Sequence, residues 1–487
     1  MENKVAKNFL YNLIYQVVVL IIPLITAPYL ARTLGADGIG IYSYNYSIVY
    51  FFCLAVMLGI NNYGNRAIAK CLGNKERINR TFCEIYSIQF FLGIIVICIY
   101  IVYSLTICNN EMIAICYLPF IVSYILDVNW LFWGQENFKI ILLRNVVVKV
   151  ITTIAIFLFI KNSSDVRMYI LIMSIGALVS QVIVWPIIFK KHKFVEVKAK
   201  DIIRHVKPNI MLFIPVIAVS LYRTMDKIML GSMSDMAQVG YYEYAEKIVS
   251  ILLTFITALG TVTLPRMSAL YESKNNEQIM KIIGDSFVFV SLVASIVAFG
   301  VASIANNLVI VYYGDEYAPS GVLLQLLCIT VPLISYANII RMQILIPQGK
   351  DKAYVFSCIF GTIINLVMNA ALIPKLQAIG AAIGTIVAEF TVLIIQTAYA
   401  RKEILIKDYI KSIICFWINS VLMCVCVSLI GYLNMSHLAL LLLQIVLGAI
   451  VYMVLLFIQC KLLKDKYVTD IINLLIQSFI KTKGKSK

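Results

Sequence analysis

Charge is scarce in this 487-residue chain: 14% of its residues are Asp, Glu, Lys or Arg, against 61% hydrophobic. Average soluble domains carry about 25% charged residues. A chain with so little polar material cannot clothe a water-facing shell, which excludes a soluble enzyme, a disordered chain and a secreted disulfide scaffold. Acid is scarcer than base, 25 against 41, for a formal net charge of +16. No basic stripe alternates with aromatics, so nucleic acid is not an expected partner. The phosphate-binding motif GxxxxGK[ST] is missing, and ATP is not expected to drive whatever the chain does. The 12 cysteines form no CxxC pair and no metal-ligand spacing; Cys424 and Cys426, the closest two, point to different faces of a helix. They read as small apolar fillers. The 3 histidines, His192, His205 and His437, have no ligand-like neighbours and are expected to be solvated. No cofactor and no metal are expected.

Long apolar runs fill the rest. A membrane span needs about 20 apolar residues, and such runs fall near 9–31, 41–62, 84–106, 113–134, 142–160, 168–189, 209–230, 243–264, 285–310, 322–345, 354–373, 378–400, 409–432 and 437–460. The first run is too long for the core of a cleaved leader and reads as a retained span entering from the cytoplasm. Basic residues test this map independently. With both termini inside, 33 of the 41 lysines and arginines fall on the cytoplasmic side and only Arg32, Lys161, Arg167 and Lys375 outside. One span too many or too few would flip every later loop and scramble that bias. The segment 467–480 is apolar with a basic end, and is expected to lie in the membrane interface.

A repeat organises the spans. Residues 40–49, GIYSYNYSIV, align with 240–249, GYYEYAEKIV, matching Gly40 with Gly240, Tyr42 with Tyr242, Tyr44 with Tyr244, Ile48 with Ile248 and Val49 with Val249. Each block joins an outward-running span to an inward-running one. The expected fold is an all-α integral membrane protein with about 14 transmembrane helices, in two pseudo-symmetric six-helix bundles plus two C-terminal helices. Its parts are an N-terminal bundle at 1–190, a basic cytoplasmic linker at 191–208, a second bundle at 209–402, two further helices at 403–460 and a basic tail at 461–487. Like-oriented repeats mark transporters, with the substrate site at the repeat interface.

Ionisable residues inside spans cost about 2.5–3.5 kcal/mol each on insertion scales, so they usually face a wet cavity or a partner. Asp127 and Lys149 fall at similar depth in neighbouring spans. They read either as an ion pair or, for Lys149, as a site for an anionic head group. Arg223, Asp226 and Lys227 share one face of the seventh span, and Glu243, Glu246 and Lys247 one face of the eighth. These two faces could pair with each other or line a cavity. Arg32 ends the first span as an anchor or a ligand contact. Glu389, in the twelfth, is a coupling candidate or a neutral buried acid. Arg32, Lys149, Arg223 and Lys227 are the candidate cationic cavity lining; no catalytic residue is expected.

The stretch PLITAPYLARTLGADGIGIYSYNYS at 23–47 resembles the first hairpin of bacterial polysaccharide flippases, and DKIMLGSMSDMAQVGYYEYAEKIV at 226–249 resembles their seventh-to-eighth hairpin. These are the Wzx-type flippases of the multidrug/oligosaccharidyl-lipid/polysaccharide exporter superfamily. The resemblance implies two bundles around a cationic central cavity. Its implied cargo is an undecaprenyl-pyrophosphate-linked oligosaccharide, flipped from the inner to the outer leaflet of the bacterial cytoplasmic membrane for capsule, O-antigen or exopolysaccharide synthesis. Membrane lipids, a polysaccharide polymerase and chain-length machinery are the implied neighbours. The alternatives are a cation-coupled drug or small-molecule antiporter of the same superfamily and a membrane-embedded polysaccharide polymerase. The basic intramembrane set weighs against the first, the short outer loops against the second.

Overall fold

The structure is a computed structural model that describes residues 2–108, 110–404 and 409–462; the side chains of 2–20 and of Leu462 lie outside the description. The expected interfacial segment at 467–480 falls outside it as well. Every regular element among the described residues is a helix, and no strand occurs among them. Among the described residues, twelve segments are long and apolar enough to cross a membrane. Two of these hold two spans each, because helices α1 (Glu2–Met57) and α16 (Asp351–Ala400) break near their middles. Counted that way the spans number fourteen, as the hydropathy map has them.

Each break has a backbone cause. Gly35 turns α1 at φ 70°, ψ 179°, a conformation glycine adopts without steric cost. Gln377 turns α16 at φ 51°, ψ −129°. There a side chain occupies a region that glycine alone visits freely.

The chain packs as two compact units, 1–240 and 241–487. The first contains α1, α2 (Ile60–Ala69), α3 (Lys75–Thr106), α4 (Glu111–Cys116), α5 (Leu118–Ile125), α6 (Asn129–Gly134), α7 (Phe138–Phe159), α8 (Val166–Val182), α9 (Trp185–Lys191), α10 (Ala199–Ile203) and α11 (Val206–Met233). Its core gathers Ile60, Ile68, Phe82, Trp130, Leu131 and Ile188, all nearly or fully buried. The seventh span, α11, packs on α1 and belongs to this unit by contact. The second unit takes α12 (Met236–Glu272) from Tyr241 onward, its first five residues belonging to the first unit, together with α13 (Asn276–Tyr313), α14 (Pro319–Cys328), α15 (Thr330–Ile339), α16, α17 (Ile410–Ile430) and α18 (His437–Leu462). Here α13 is the hub, packing on α14, α15, α17 and α18.

Solvent in the usual sense does not surround these helices. In α3, Phe91 and Val102 are each 60% exposed, while Asn79, Glu84 and Gln89 on the same helix are buried. A helix with apolar residues outside and polar ones inside has hydrocarbon as its surroundings. The protein is therefore a multi-pass membrane protein.

Candidate functional site

The first unit contains a cavity of about 590 Å³ between α1 and α11. On the α1 side it is lined by Tyr46 and Tyr50; on the α11 side by Pro215, Val216, Val219, Ser220, Arg223 and Thr224. The α11 residues share one face because 216, 219, 220, 223 and 224 follow the three-and-four spacing of a helix. Arg223 lies ten residues before the helix end at Met233, or about 15 Å at 1.5 Å per residue. That places a guanidinium deep within the span. Among the described residues it has no carboxylate partner within salt-bridge distance. Thr224 Oγ1 donates to the Ser220 carbonyl at 2.7 Å, which keeps its lone pairs available toward the cavity. Pro215 lacks the N–H that the Met211 carbonyl would otherwise receive. The cavity thus combines one strong cationic donor, two hydroxyls and two aromatic rings within an apolar wall.

The other candidates are distributed. Lys227 is one turn beyond Arg223 and half-buried, Asp226 is buried and Arg32 is exposed near the Gly35 break. Of the four cationic candidates, Arg223 is the one that lines this cavity. In the second unit Glu243, Glu246 and Lys247 follow one another in the first turns of α12. The Lys247 ammonium lies 5.3 Å from the Tyr244 ring. Glu389 is buried in the second arm of α16, on a helix with other buried polar groups. Gln396 Nε2 donates to Ser357 Oγ at 3.0 Å, and Asn369 Nδ2 to Asn365 Oδ1 at 3.2 Å.

The Asp127–Lys149 ion pair is not formed. The fourth span is not one straight helix but α4, α5 and α6 in series, and Asp127 sits in the break between the last two. There its carboxylate accepts from the Asn129 backbone N–H at 2.9 Å, satisfying the first free N–H of α6. Depth along an ideal helix therefore misplaces it. The cation that the sequence reading missed is Arg144, 6% exposed. Its guanidinium donates to Asn129 Oδ1 and Gln181 Oε1 at 3.1 Å each, and to Asn145 Oδ1 at 2.8 Å. This cradle ties α6, α7 and α8 together.

The histidines are not all solvated. His205 is buried at the foot of α11, its Nε2 2.8 Å from Glu84 Oε2 and its Nδ1 2.7 Å from the Tyr63 hydroxyl. Glu84 is wholly buried and also accepts from Arg204 at 2.6 Å and Arg80 at 3.2 Å. Arg80 reaches Asp201 at 3.0 Å. Two carboxylates, two guanidiniums and an imidazole thus fasten the linker and the start of α11 to α2 and α3. His192 is half-buried in the same linker, 2.8 Å from Asn79 Oδ1 and 3.2 Å from Gln135 Nε2. Burial, then Lys75 and Lys191 close by, hold its pKa below the ordinary histidine value. His437 is exposed and meets Asn307 Oδ1 at 2.9 Å.

Known proteins share this architecture. A protein of Escherichia coli strain K12 named an O-antigen transporter is 24% identical over 82% of this chain and 97% of its own length. One of the same name from Shigella dysenteriae is 26% identical over 76% of this chain and 94% of its own. Among solved structures, the lipid II flippase MurJ in an inward closed conformation superposes with a TM-score of 0.77, at 14% identity, over 93% of this chain and all of its own. The MatE family matches residues 212–371, across the seventh to eleventh spans. The polysaccharide biosynthesis protein family matches residues 5–271, more than half of the sequence and both motif hairpins, and the chain belongs to that family.

Proposed function

We propose that this protein flips a lipid-linked oligosaccharide, carried on an undecaprenyl diphosphate, from the inner to the outer leaflet of the bacterial cytoplasmic membrane. The observation that carries this reading is Arg223, a guanidinium lining a cavity of about 590 Å³ deep in a membrane span with no carboxylate partner among the described residues. An unpaired cation at that depth costs energy unless an anion joins it. A diphosphate is well matched to a guanidinium through paired, charge-assisted hydrogen bonds. The relatives named O-antigen transporters, matched over nearly their full length, support the same cargo class.

The physics of the task fits a transporter rather than an enzyme. Sugars and phosphates cross hydrocarbon only where polar partners replace their water. A hydrated passage supplies those partners while the lipid tail stays in the bilayer. With the cell interior negative, moving about two negative charges outward is favoured by roughly 5 kcal/mol per 100 mV, at about 2.3 per charge. We take the repeat halves to be 1–190 and 209–402, joined by the basic linker at 191–208 and followed by 403–460 and a tail at 461–487. Both termini are then cytoplasmic. A polymerase and chain-length machinery are the expected users of the flipped product. The drug-antiporter reading shares the architecture through the MatE match, but the cation in this cavity suits an anionic cargo.

The test is the double variant Arg223→Gln/Lys227→Gln in a polysaccharide-producing strain that lacks its own copy. The expected result is normal membrane insertion, loss of surface polysaccharide and accumulation of lipid-linked oligosaccharide on the inner leaflet. Undiminished polymer from that strain would remove Arg223 and Lys227 from the mechanism; no polymer when the unaltered protein is supplied would refute the reading.

A further inference from the structure

Three tyrosines, Tyr42, Tyr46 and Tyr50, follow one another at four-residue spacing along α1. Their rings are near parallel: Tyr42 and Tyr46 have centroids 5.8 Å apart with planes at 22°, Tyr46 and Tyr50 6.3 Å apart at 19°. Such a stripe is most often packing, and for Tyr42 it is: its ring lies against Tyr117 and Tyr169. Its backbone carbonyl accepts from the Tyr117 hydroxyl at 2.8 Å. The next two differ. Tyr46 and Tyr50 are half-buried and line the cavity that holds Arg223. Phe120 backs Tyr46 at 5.5 Å and is itself backed by Tyr124 at 5.4 Å, so the Tyr46 ring is held in place before any ligand arrives. Tyr50 makes no hydrogen bond through its hydroxyl among the described residues, whereas a tyrosine buried as packing usually finds a partner for it.

We propose that Tyr46 and Tyr50 are specificity-determining residues: a sugar-stacking wall that reads the carbohydrate attached directly to the diphosphate. This rests on the flippase reading and deepens it. A pyranose ring carries C–H groups on its faces and hydroxyls around its edge. The aromatic faces of Tyr46 and Tyr50 suit the former, and the Ser220 and Thr224 hydroxyls across the cavity suit the latter. A cavity of about 590 Å³ lies within the usual range for small-molecule sites and admits a sugar or two, not a whole repeat unit. Because Arg223 lines the same cavity, the sugar that fits beside it is the one bonded to the diphosphate. Sugars further along the chain remain outside this wall.

The experiment compares three variants with the parent in the producing strain and in inverted membrane vesicles prepared from it: Tyr46→Leu/Tyr50→Leu, Tyr46→Phe/Tyr50→Phe, and Arg223→Gln. Flipping of the strain's own lipid-linked oligosaccharide is measured alone and with sugar-free undecaprenyl diphosphate added as competitor. The leucine pair is expected to lower flipping about tenfold or more, from the loss of two ring contacts. The phenylalanine pair, which keeps the rings, is expected to restore it to within about threefold. The competitor should inhibit the parent and whatever flipping the leucine pair retains at the same concentration, because it has no sugar to stack, and Arg223→Gln should abolish flipping. Leucine-pair flipping at the parental rate overturns the wall, as does an equal loss in the leucine and phenylalanine pairs. A competitor that no longer inhibits the leucine pair overturns it too, by tying the rings to the diphosphate. In each of these cases loss of flipping in Arg223→Gln leaves the flippase reading intact. Parental flipping in Arg223→Gln overturns the placement of the diphosphate and with it the wall, whereas a parent that flips no faster than vesicles lacking the protein defeats the flippase reading itself.

Discussion

Gly40 and Gly240, the paired glycines of the sequence repeat, pack against each other's neighbouring backbone. A methyl group built on Gly40 would lie 3.2 Å from the Gly240 amide nitrogen and run into the Met236 carbonyl; one built on Gly240 would run into the Ala36 carbonyl. The obstacle in both cases is backbone oxygen, which cannot swing aside as the end of a flexible side chain can. Gly40→Ala is therefore expected to destabilise the protein by about 1–3 kcal/mol, the usual cost of overpacking. Because both substitutions strain one contact, Gly40→Ala/Gly240→Ala should cost less than the sum of the single changes. Thermal unfolding of the purified protein in detergent measures both; a double variant with fully additive losses would contradict a shared contact.

Glu84 holds the linker. Its buried carboxylate receives Arg204, His205 and Arg80, and Glu84→Gln keeps the shape while removing the charge. The two arginines are more than half exposed, so water compensates part of the loss, and we expect a cost of about 2 kcal/mol. The linker should also loosen. Tryptic cleavage after Lys193 and Lys198 is expected to accelerate in this variant under native conditions. An unchanged cleavage rate would mean that the apolar contacts of Phe194 with Phe82 and Trp185 suffice to hold the segment.

His192 gives the linker a pH dependence of known sign. In the neutral ring Nδ1–H donates to Asn79 Oδ1 and Nε2 accepts from Gln135 Nε2. Protonation sets an N–H against an N–H group. The folded-state pKa lies below the ordinary 6.5, so the contribution to stability is complete above that value and is lost as pH falls through the folded pKa. The melting temperature should drop on acidification, and His192→Asn should lose the part of that drop due to this site. If the two proteins trace parallel curves from pH 8 to 5, His192 does not contribute.

Gln377 carries backbone strain that its counterpart at the other long-helix break, Gly35, avoids. Gln377→Gly places at φ 51° the one residue at ease there. Relief of strain of order 1–3 kcal/mol competes with the added freedom of glycine in the unfolded chain, about 0.4–1 kcal/mol. The expected net result is a rise in melting temperature. A fall would show that the Gln377 side chain contributes more in place than its backbone loses.

What the amino-acid sequence settles here is local in origin. A run of about 20 apolar residues spans a bilayer whatever surrounds it, so the spans could be counted before any helix was seen. The broken helices at Gly35 and Gln377 fall between spans already placed at 9–31 and 41–62, and at 354–373 and 378–400. The two hairpins likewise carried the family, and Arg223 was legible as an expensive charge within a span. Tyr46 and Tyr50 were in view only as part of the repeat, although their spacing from Tyr42 was the available signal for a continuous aromatic face. The tertiary structure alone decided which groups meet. Glu84 finds His205 across 121 residues, and Arg144 finds Gln181 across 37, with no local pattern announcing either. In a water-soluble helix the apolar stripe reveals the inward face. In these helices the outward face is apolar too, because it meets hydrocarbon, and the direction of each side chain emerged only when the helices packed.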